Sequence, residues 1–409
     1  MSGEKFEDAT GVSDLAVDDA RSPLARLVAG VAALGRPGLR RVDAAFAVTT
    51  SVESAHIICT DGTRVSRIEA PPALLALARA HRAEALTAPG GPWWRVLVRI
   101  NAFGAPEVDY DYGDEPFPGD QLFRPEVYQA DVAAYPRPRL PVWLAAYMTH
   151  GGRQSRAKRR ADISARADRT RGWRPTPVDA DVPGFPEMWA RWATISAACE
   201  AVAAEPGPRV VPDTCWYESA RNGSSGSSLY VLPGGRAVLS GGVWEAPALN
   251  AAYNGGIDLP NLYAGAPDWV TNAVLNPRAA VGLLSFCFWW EGGRWYCGES
   301  PSMQQCGVAL PPIWTASTVL ETVARLLWPQ PNYRQRAAVA SLLVAAERAE
   351  VTPELVRDAV GAHRDVAGAL RQVVSAGLMA PSGATVERGA APNVHLLDGW
   401  YLCNDRIAL

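Results

Sequence analysis

Residues 93–112 constrain the fold most strongly, because apolar and polar side chains alternate on both sides of a turn signal. In the first arm, apolar residues occupy every second position: Val96, Val98 and Ile100. Gly104, Ala105 and Pro106 can then turn the chain before the alternation resumes. A period of two on both sides of a Gly/Pro break predicts a β-hairpin. Antiparallel strands are therefore expected to form the frame of this part of the chain.

The second arm of this hairpin separates tyrosines from aspartates. Tyr110 and Tyr112 fall on one face of the strand, and Asp109 and Asp111 fall on the other. The loop that follows adds further acidic residues: Asp114, Glu115 and Asp120. Neighbouring carboxylates on an exposed sheet face repel each other unless a cation or a basic partner lies against them. The acidic hairpin is therefore our candidate contact surface.

Length and charge limit the class of protein. A chain of 409 residues that is 48% hydrophobic suggests two or three domains, each able to bury a core. The net charge of −3 argues against a general nucleic-acid binder. Residues 1–21 form an acidic leader without the apolar core of a signal peptide, and no stretch of about 18 apolar residues occurs anywhere. We expect a cytoplasmic protein without a membrane span.

Residues 22–150 are predicted to form one α+β domain over an antiparallel sheet. Helices are expected over 22–35, 71–86, 123–135 and 141–147, where proline or a capping residue precedes an apolar pattern. Strands are expected over 42–48, 54–59 and 63–68, the last two joined by Asp61 and Gly62, a strong hairpin signal.

Residues 151–183 are rich in arginine and poor in apolar side chains. Such a run is usually a solvated linker, which is our prediction. Two alternatives stay open: a basic arm that touches nucleic acid, and docking of the run onto the acidic hairpin of the same chain.

Residues 184–332 are predicted to form a second α+β domain that is rich in tryptophan. Helices are expected over 189–203 and 320–328, with hairpins around 229–240 and 283–297 and an ordered loop over 244–269. Trp289, Trp290 and Trp295 are typical of core or hairpin-pair positions, and an exposed aromatic platform is the alternative. Cys287 and Cys297 would face each other only across a three-residue loop, because a two-residue loop shifts the register by one.

Residues 333–409 are predicted to form a mainly helical tail that packs on the second domain. Helices are expected over 334–349, 352–360 and 365–375, followed by strands over 386–388 and 394–401. Three helices followed by two strands are the order of a winged-helix unit. The third helix offers only Arg364 and Arg371 against Asp365, which supports DNA reading poorly. A packing or protein-docking module is favoured.

The sequence contains no pattern that indicates catalysis, a metal site or a cofactor. Its five histidines are far apart, and no Cys-x-x-Cys pair, Gly-x-Ser-x-Gly elbow or phosphate loop occurs. His56, in a predicted strand, is typical of a structural histidine. Asp109 and Asp111 could act as acid and base or bind a cation, but no third ligand is identifiable.

The central hairpin resembles the signature of a known family. The residues that carry the likeness are Trp94, Arg95, Val96, Leu97 and Val98, then Gly104, then Val108, Asp109, Tyr110, Asp111 and Tyr112. A downstream set continues it: Phe123, Tyr128, Asp131, Tyr135, Pro136, Arg137, Pro141, Val142 and Trp143. These residues resemble the YezG-like immunity proteins, in their actinobacterial form, over about residues 40–148. The family is a small single domain, so the long C-terminal extension is a departure.

The resemblance implies a cytoplasmic protein that binds and neutralises a polymorphic toxin, often a nuclease or an NAD-consuming enzyme. An acidic face beside tyrosines would match the basic cleft of such an enzyme. We therefore expect a non-enzymatic protein-binding protein without cofactor or metal. The predicted contact residues are Trp94, Asp109, Tyr110, Asp111, Tyr112, Asp114, Glu115 and Tyr128. The alternative is a regulatory or scaffold protein of a toxin or secretion locus that uses the basic linker and the tail; a hydrolase in the Trp-rich half is a third hypothesis.

Overall fold

The computed structural model describes residues 21–35, 39–86, 90–102, 105–156, 158–179, 181–219 and 225–381. The chain divides into two compact units between Arg139 and Leu140. Each unit combines α-helices with one antiparallel sheet, which confirms the predicted α+β class. Among the described helices, none is both long and apolar enough to cross a membrane. The acidic leader and the predicted strands over 386–388 and 394–401 lie outside the described residues, except for Arg21.

The first unit is built on a five-stranded sheet with the strand order β3-β2-β1-β4-β5. Its strands are β1 Arg41–Val48, β2 Glu53–Thr60, β3 Val65–Ile68, β4 Arg95–Asn101 and β5 Glu107–Asp111. Its helices are α1 Pro23–Ala32, α2 Pro72–Glu84 and α3 Pro125–Ala134. The predicted hairpin is present as β4 and β5, which pair in an antiparallel register.

One face of this sheet packs against α1 and α2 and forms the core of the first unit. The buried residues on that face come from every second position of three strands: Val42, Ala44, Phe46, Ile57, Cys59, Val96 and Val98. Leu27 and Leu74 from the two helices complete the cluster. Full burial of one such aliphatic side chain contributes about 1.5–3 kcal/mol. The period of two therefore directs the intervening residues to the other face, which we call the polar face.

The second unit is built on a seven-stranded sheet with the order β6-β12-β11-β10-β9-β8-β7. Its strands are β6 Thr176–Pro177, β7 Arg209–Val211, β8 Thr214–Glu218, β9 Gly226–Leu232, β10 Arg236–Gly242, β11 Phe286–Glu291 and β12 Arg294–Cys297. Its helices are α4 Val142–Thr149, α5 Lys158–Thr170, α6 Phe185–Ala201, α7 Pro247–Gly255, α8 Ala316–Leu327, α9 Tyr333–Glu347, α10 Pro353–Val360 and α11 Val366–Ser375. The helix α7 lies within the tract predicted to be a loop.

Helix α6 is the centre of the larger core in this unit. It contacts α8, α9 and α11, and its buried side chains join Phe286 and Phe288 of the sheet in one cluster. The indole N–H of Trp189 donates a 2.9 Å hydrogen bond to the carbonyl oxygen of Ala376, beyond the end of α11. The side of α11 that carries Ala369 and Val373 is buried. Helix α11, which would be the DNA-reading helix of a winged-helix unit, thus packs one side against the rest of the protein.

Two segments belong to the second unit where the sequence predicted otherwise. Helix α4, which we placed at the end of the first domain, packs against α7, and the backbone of Leu140 exchanges hydrogen bonds with the amide of Asn254. Much of the predicted linker is folded as α5 and β6, and β6 pairs with β12 and forms one edge of the seven-stranded sheet. The arginine-rich segment is therefore part of a domain.

The hairpin between β11 and β12 has a two-residue loop, because Glu291 pairs with Arg294. Cys297 then lies opposite Phe288, in the cluster on the α6 side, while Cys287 lies in the cluster on the other side of the sheet. Both cysteines are free and buried. The shifted register thus separates the two thiols, as expected for a two-residue loop. Trp289 and Trp295 are buried in core clusters, whereas Trp290 is only partly buried.

Candidate functional site: the polar face of the N-terminal sheet

The outer part of the polar face is occupied by an ion-pair network. Arg99 on β4 donates hydrogen bonds to Asp43 at 3.1 Å and to Glu107 at 2.9 Å, and Arg41 also pairs with Asp43. Burial acts to raise the pKa of Asp43, but hydrogen bonds from the two arginines lower it below its ordinary value overall. At this end the acidic residues are balanced by arginines of neighbouring strands, as cross-strand pairing allows.

Asp111 is also neutralised by the chain itself. The register of β4 and β5 places it opposite Arg95, whose Nη1 lies 2.7 Å from Oδ2 of Asp111. The backbone N–H of Gly113 donates a second hydrogen bond to this carboxylate. Burial raises the pKa of Asp111 despite these contacts, and repulsion by Asp114 and Asp109 raises it further. Asp111 is therefore paired within its own unit, and its role as a partner contact stays a prediction.

Four of the predicted contact residues remain at the surface: Asp109, Tyr112, Asp114 and Glu115. We call them the acidic patch. Its three carboxylates form no ion pair within the described part of the chain. Tyr112 is 39% exposed and lies two positions before Asp114 in the chain. Asp109 and Asp114 both help to raise the pKa of Asp111 by repulsion, so these carboxylates lie close enough to Asp111 to interact with it.

Three other predicted contact residues face inward. Tyr110 is half-buried on the core face, where its hydroxyl lies 2.9 Å from Nε2 of His81, and burial raises its pKa. Trp94 and Tyr128 are almost completely buried, with their rings packed edge to face at 5.2 Å. Trp94 and Tyr128 are too deeply buried to touch a partner directly, so that expectation is wrong for them, whereas the contact role of the half-buried Tyr110 stays a prediction.

The downstream residues of the family resemblance form a buried network that sequence reasoning missed. The carboxylate of Asp131, on α3, accepts hydrogen bonds from Arg82 at 2.7 Å and from the backbone N–H of Thr50 at 2.8 Å. Arg82 also donates to the carbonyl oxygen of Trp93. Asp131 is fully buried, and Arg82 is 4% exposed. The pair therefore ties α2, α3 and the start of β4 together.

Arg137 extends this network. Its guanidinium lies 4.0 Å from the centre of the Trp94 ring and donates hydrogen bonds to the carbonyl oxygens of Gly90 and Pro92. Burial lowers the pKa of Arg137 to about 10. The signal in the sequence was the spacing of Tyr128 and Asp131, which places an acid on the buried side of α3.

Residues 112–124, which we call the strap, cross the inner part of the polar face. The ring of Phe117 lies beneath the guanidinium of Arg95, with 5.6 Å between them. Farther along, Asp120 lies 3.0 Å from Nδ1 of His56 and 3.8 Å from Arg67. The strap therefore runs from β5 over β4 to β2 and β3. Its contacts at Phe117 and Asp120 fix the C-terminal side of the acidic segment that carries Asp114 and Glu115, and the pairing of β5 with β4 fixes the N-terminal side.

The polar side chains beneath the strap, His56 and Ser54, have structural positions and are not arranged as a catalytic pair. His56 is 8% exposed and has two charged partners, as its strand position predicted. Ser54 lies on the same face of β2, but its buried Oγ has no hydrogen-bond partner among the described residues, so it forms no nucleophile–base pair with His56. Within the described ranges, no group of three His, Cys, Asp or Glu side chains is placed to hold a metal ion.

A comparison with protein-family models finds no match for this chain, and a comparison with curated proteins finds none either. The likeness to YezG-like immunity proteins therefore rests on the quoted residues alone.

Proposed function

We propose that this protein binds another protein through the acidic patch of its N-terminal unit, as an immunity or toxin-associated protein. The observation that carries the proposal is the charge of the exposed Asp109, Asp114 and Glu115, which form no ion pair within the described residues, together with the exposed side chain of Tyr112 two positions before Asp114. Elsewhere on the same face, arginines of the unit pair with the acids Asp43, Glu107 and Asp111. The patch is thus the part of the hairpin left for a basic partner.

The geometry favours a rigid contact surface. Phe117 and Asp120 hold the strap against the sheet on the C-terminal side of its acidic segment, and the pairing of Asp111 with Arg95 at the end of β5 holds the N-terminal side. A surface that is already ordered loses less conformational entropy when it binds than a mobile loop does. Opposite charge accelerates encounter, and an exposed tyrosine supplies apolar contact area with a polar end. The proposal requires no catalysis by this chain.

A partner with a basic cleft fits this surface, which agrees with what the family resemblance implies. A nuclease or an NAD-consuming toxin binds anionic substrates, so its active site carries positive charge. The acidic patch would occupy that cleft and exclude the substrate. The natural first probe is the purified product of the gene adjacent to this one, because immunity proteins are encoded beside their toxins.

The test compares two double charge reversals of equal net charge. Asp109→Lys with Asp114→Lys changes the patch and leaves the Arg95–Asp111 pair intact. Glu69→Lys with Glu126→Lys is the control, because both glutamates are exposed and form no ion pair within the described residues. Binding of the adjacent gene product is measured by biolayer interferometry at low and high salt.

We expect the patch variant to lose at least about tenfold in association rate at low salt and most of its salt dependence. The control variant should bind within about twofold of the wild type. Equal binding by both variants would contradict the acidic patch as the contact surface. Failure of the wild-type protein to bind the adjacent gene product at micromolar concentration would contradict the immunity role.

A further inference from the structure

Helix α5 exposes a row of arginines. Ala161, Ala165 and Asp168 are buried at helical spacing, which turns the opposite side of the helix to solvent. That exposed side and its flanks carry four arginines, and the segment after the helix adds two: Arg159, Arg160, Arg166, Arg169, Arg171 and Arg174. These six side chains form no ion pair within the described part of the chain. The result is a cationic surface on the second unit.

The charge of this segment contrasts with the rest of the protein. Residues 151–174 contain nine basic and two acidic side chains, so their net charge is +7. The whole chain has a net charge of −3, which leaves −10 on the remaining residues. The near-neutral total therefore conceals a strong local separation of charge. Like charges at adjacent helical positions repel each other and destabilise a helix.

Interior contacts fix this helix in place. Asp168 is buried and accepts a 3.2 Å hydrogen bond from the backbone N–H of Gly265. Just before the helix, Arg156 donates a 2.7 Å hydrogen bond to Asn261, and its guanidinium lies 5.1 Å from the centre of the Tyr263 ring. Asp168 and Arg156, which anchor the helix, point into the protein, whereas the six arginines point to solvent.

The end of the helix presents an aromatic ring beside the arginines. Trp173 is 44% exposed. Its backbone N–H donates to the carbonyl oxygen of Asp168, and the N–H of Gly172 donates to Arg169. Gly172 adopts a φ of +73°, so this is a Schellman cap, which requires a left-handed residue at that position. The cap therefore holds Trp173 in a defined place between Arg171 and Arg174.

We propose that this surface binds single-stranded nucleic acid. Phosphates pair with arginine in a bidentate geometry, and an exposed tryptophan can stack on an unpaired base. A membrane surface fits less well, because Ala161 and Ala165 of α5 are buried against the protein and Ile163 is the one large apolar side chain that the described helix exposes among its arginines. This site lies on the second unit and has the opposite charge to the acidic patch, so it adds a second binding activity to the proposed one.

The test measures binding of the full chain to a fluorescent twenty-nucleotide oligo(dT) and to oligo(U) of the same length, by anisotropy over a range of salt concentrations. With about four to six phosphate contacts, the slope of log K against log salt should be about −3 to −4. The variant Arg159→Gln with Arg166→Gln should reduce that slope by about 1.4 and weaken binding by about tenfold or more. Trp173→Ala should weaken binding by about fivefold to a hundredfold.

The matched control is Arg334→Gln with Arg348→Gln, which removes two exposed arginines that form no ion pair within the described ranges of the same unit. It should bind like the wild type. Equal loss in both arginine variants, or an unchanged affinity in Trp173→Ala, would overturn the proposal. So would binding of vesicles that contain phosphatidylserine without binding of either oligonucleotide, since this result would assign the surface to a membrane. A preference between oligo(dT) and oligo(U) identifies the nucleic acid.

Discussion

Removing either partner of the buried ion pair between Arg82 and Asp131 should strongly destabilise the first unit. We consider Asp131→Leu and Arg82→Met, each alone, and the two together. Either single change leaves one charge buried without its partner. The double change replaces both charges with apolar side chains of similar size.

The structure fixes the expected magnitudes. Asp131 is fully buried and Arg82 is 4% exposed, so the unpaired charge in either single variant has little access to water. Loss of one partner of such a pair costs about 3–5 kcal/mol. The double variant loses the hydrogen bonds to Trp93 and Thr50, at about 1 kcal/mol each, but buries no unpaired charge. It should therefore be more stable than either single variant.

The assay is hydrogen exchange of the full chain, followed by mass spectrometry in peptides from β1 and β4. Central strands exchange through the largest opening of their unit, so they report its free energy of unfolding. A single midpoint of chemical denaturation would report on both units at once, so it would not give the free energy of unfolding of the first unit alone. Asp131→Asn, which keeps an acceptor for Thr50, is expected to lie between the wild type and Asp131→Leu.

The exposed pair of Arg79 and Glu53 provides the control, because it also joins α2 to the sheet. Its arginine is 57% exposed, so Glu53→Gln should cost no more than about 1 kcal/mol. The reasoning is refuted if Asp131→Leu costs as little as Glu53→Gln, or if the double variant loses the sum of the two single losses.

Three further results are expected. Because the pKa of Asp111 is raised in the folded protein, its contribution to stability is fully present below its ordinary pKa and is lost as pH rises. The stability of Asp111→Asn relative to wild type should therefore increase as pH rises above about 4, as hydrogen exchange of β4 peptides from both proteins, compared at each pH, can measure. Gly172→Ala should lower the free energy of local opening of α5, measured by hydrogen exchange, by about 1 kcal/mol, because Gly172 has a positive φ. Gly255→Ala, at a helix end with free space around it, should be neutral or stabilising. Oxidation by diamide should yield no Cys287–Cys297 disulfide in peptide maps, since the two thiols lie on opposite sides of the sheet.

Local signals in the sequence predicted most of the described elements. Asp61 and Gly62 mark the turn of the β2–β3 hairpin, and Gly292 and Gly293 form the two-residue loop between β11 and β12. Thr352 caps α10 with its side chain, as its place before Pro353 indicated. These features depend on a few adjacent residues, so they can be read without knowledge of the fold.

The errors concern contacts between distant residues. Alternation correctly assigned Asp109 and Asp111 to one face, but only the register of β4 and β5 shows that Arg95 lies opposite Asp111. The burial of Tyr128 depends on how α3 packs against the ring of Trp94, a contact that the pattern within α3 does not show. The composition of the arginine-rich segment suggested a solvated linker. In the structure, two buried alanines and one buried aspartate hold this segment against the protein as helix α5.

The pairing of β6 with β12 has a practical consequence for dissecting this protein. An expression fragment that starts at residue 184, as composition would suggest, removes the strand that covers β12 and leaves that edge without a partner. Bare edges of this kind promote aggregation. A fragment that starts at Leu140 retains α4, α5 and β6, and it should remain soluble where the shorter one precipitates.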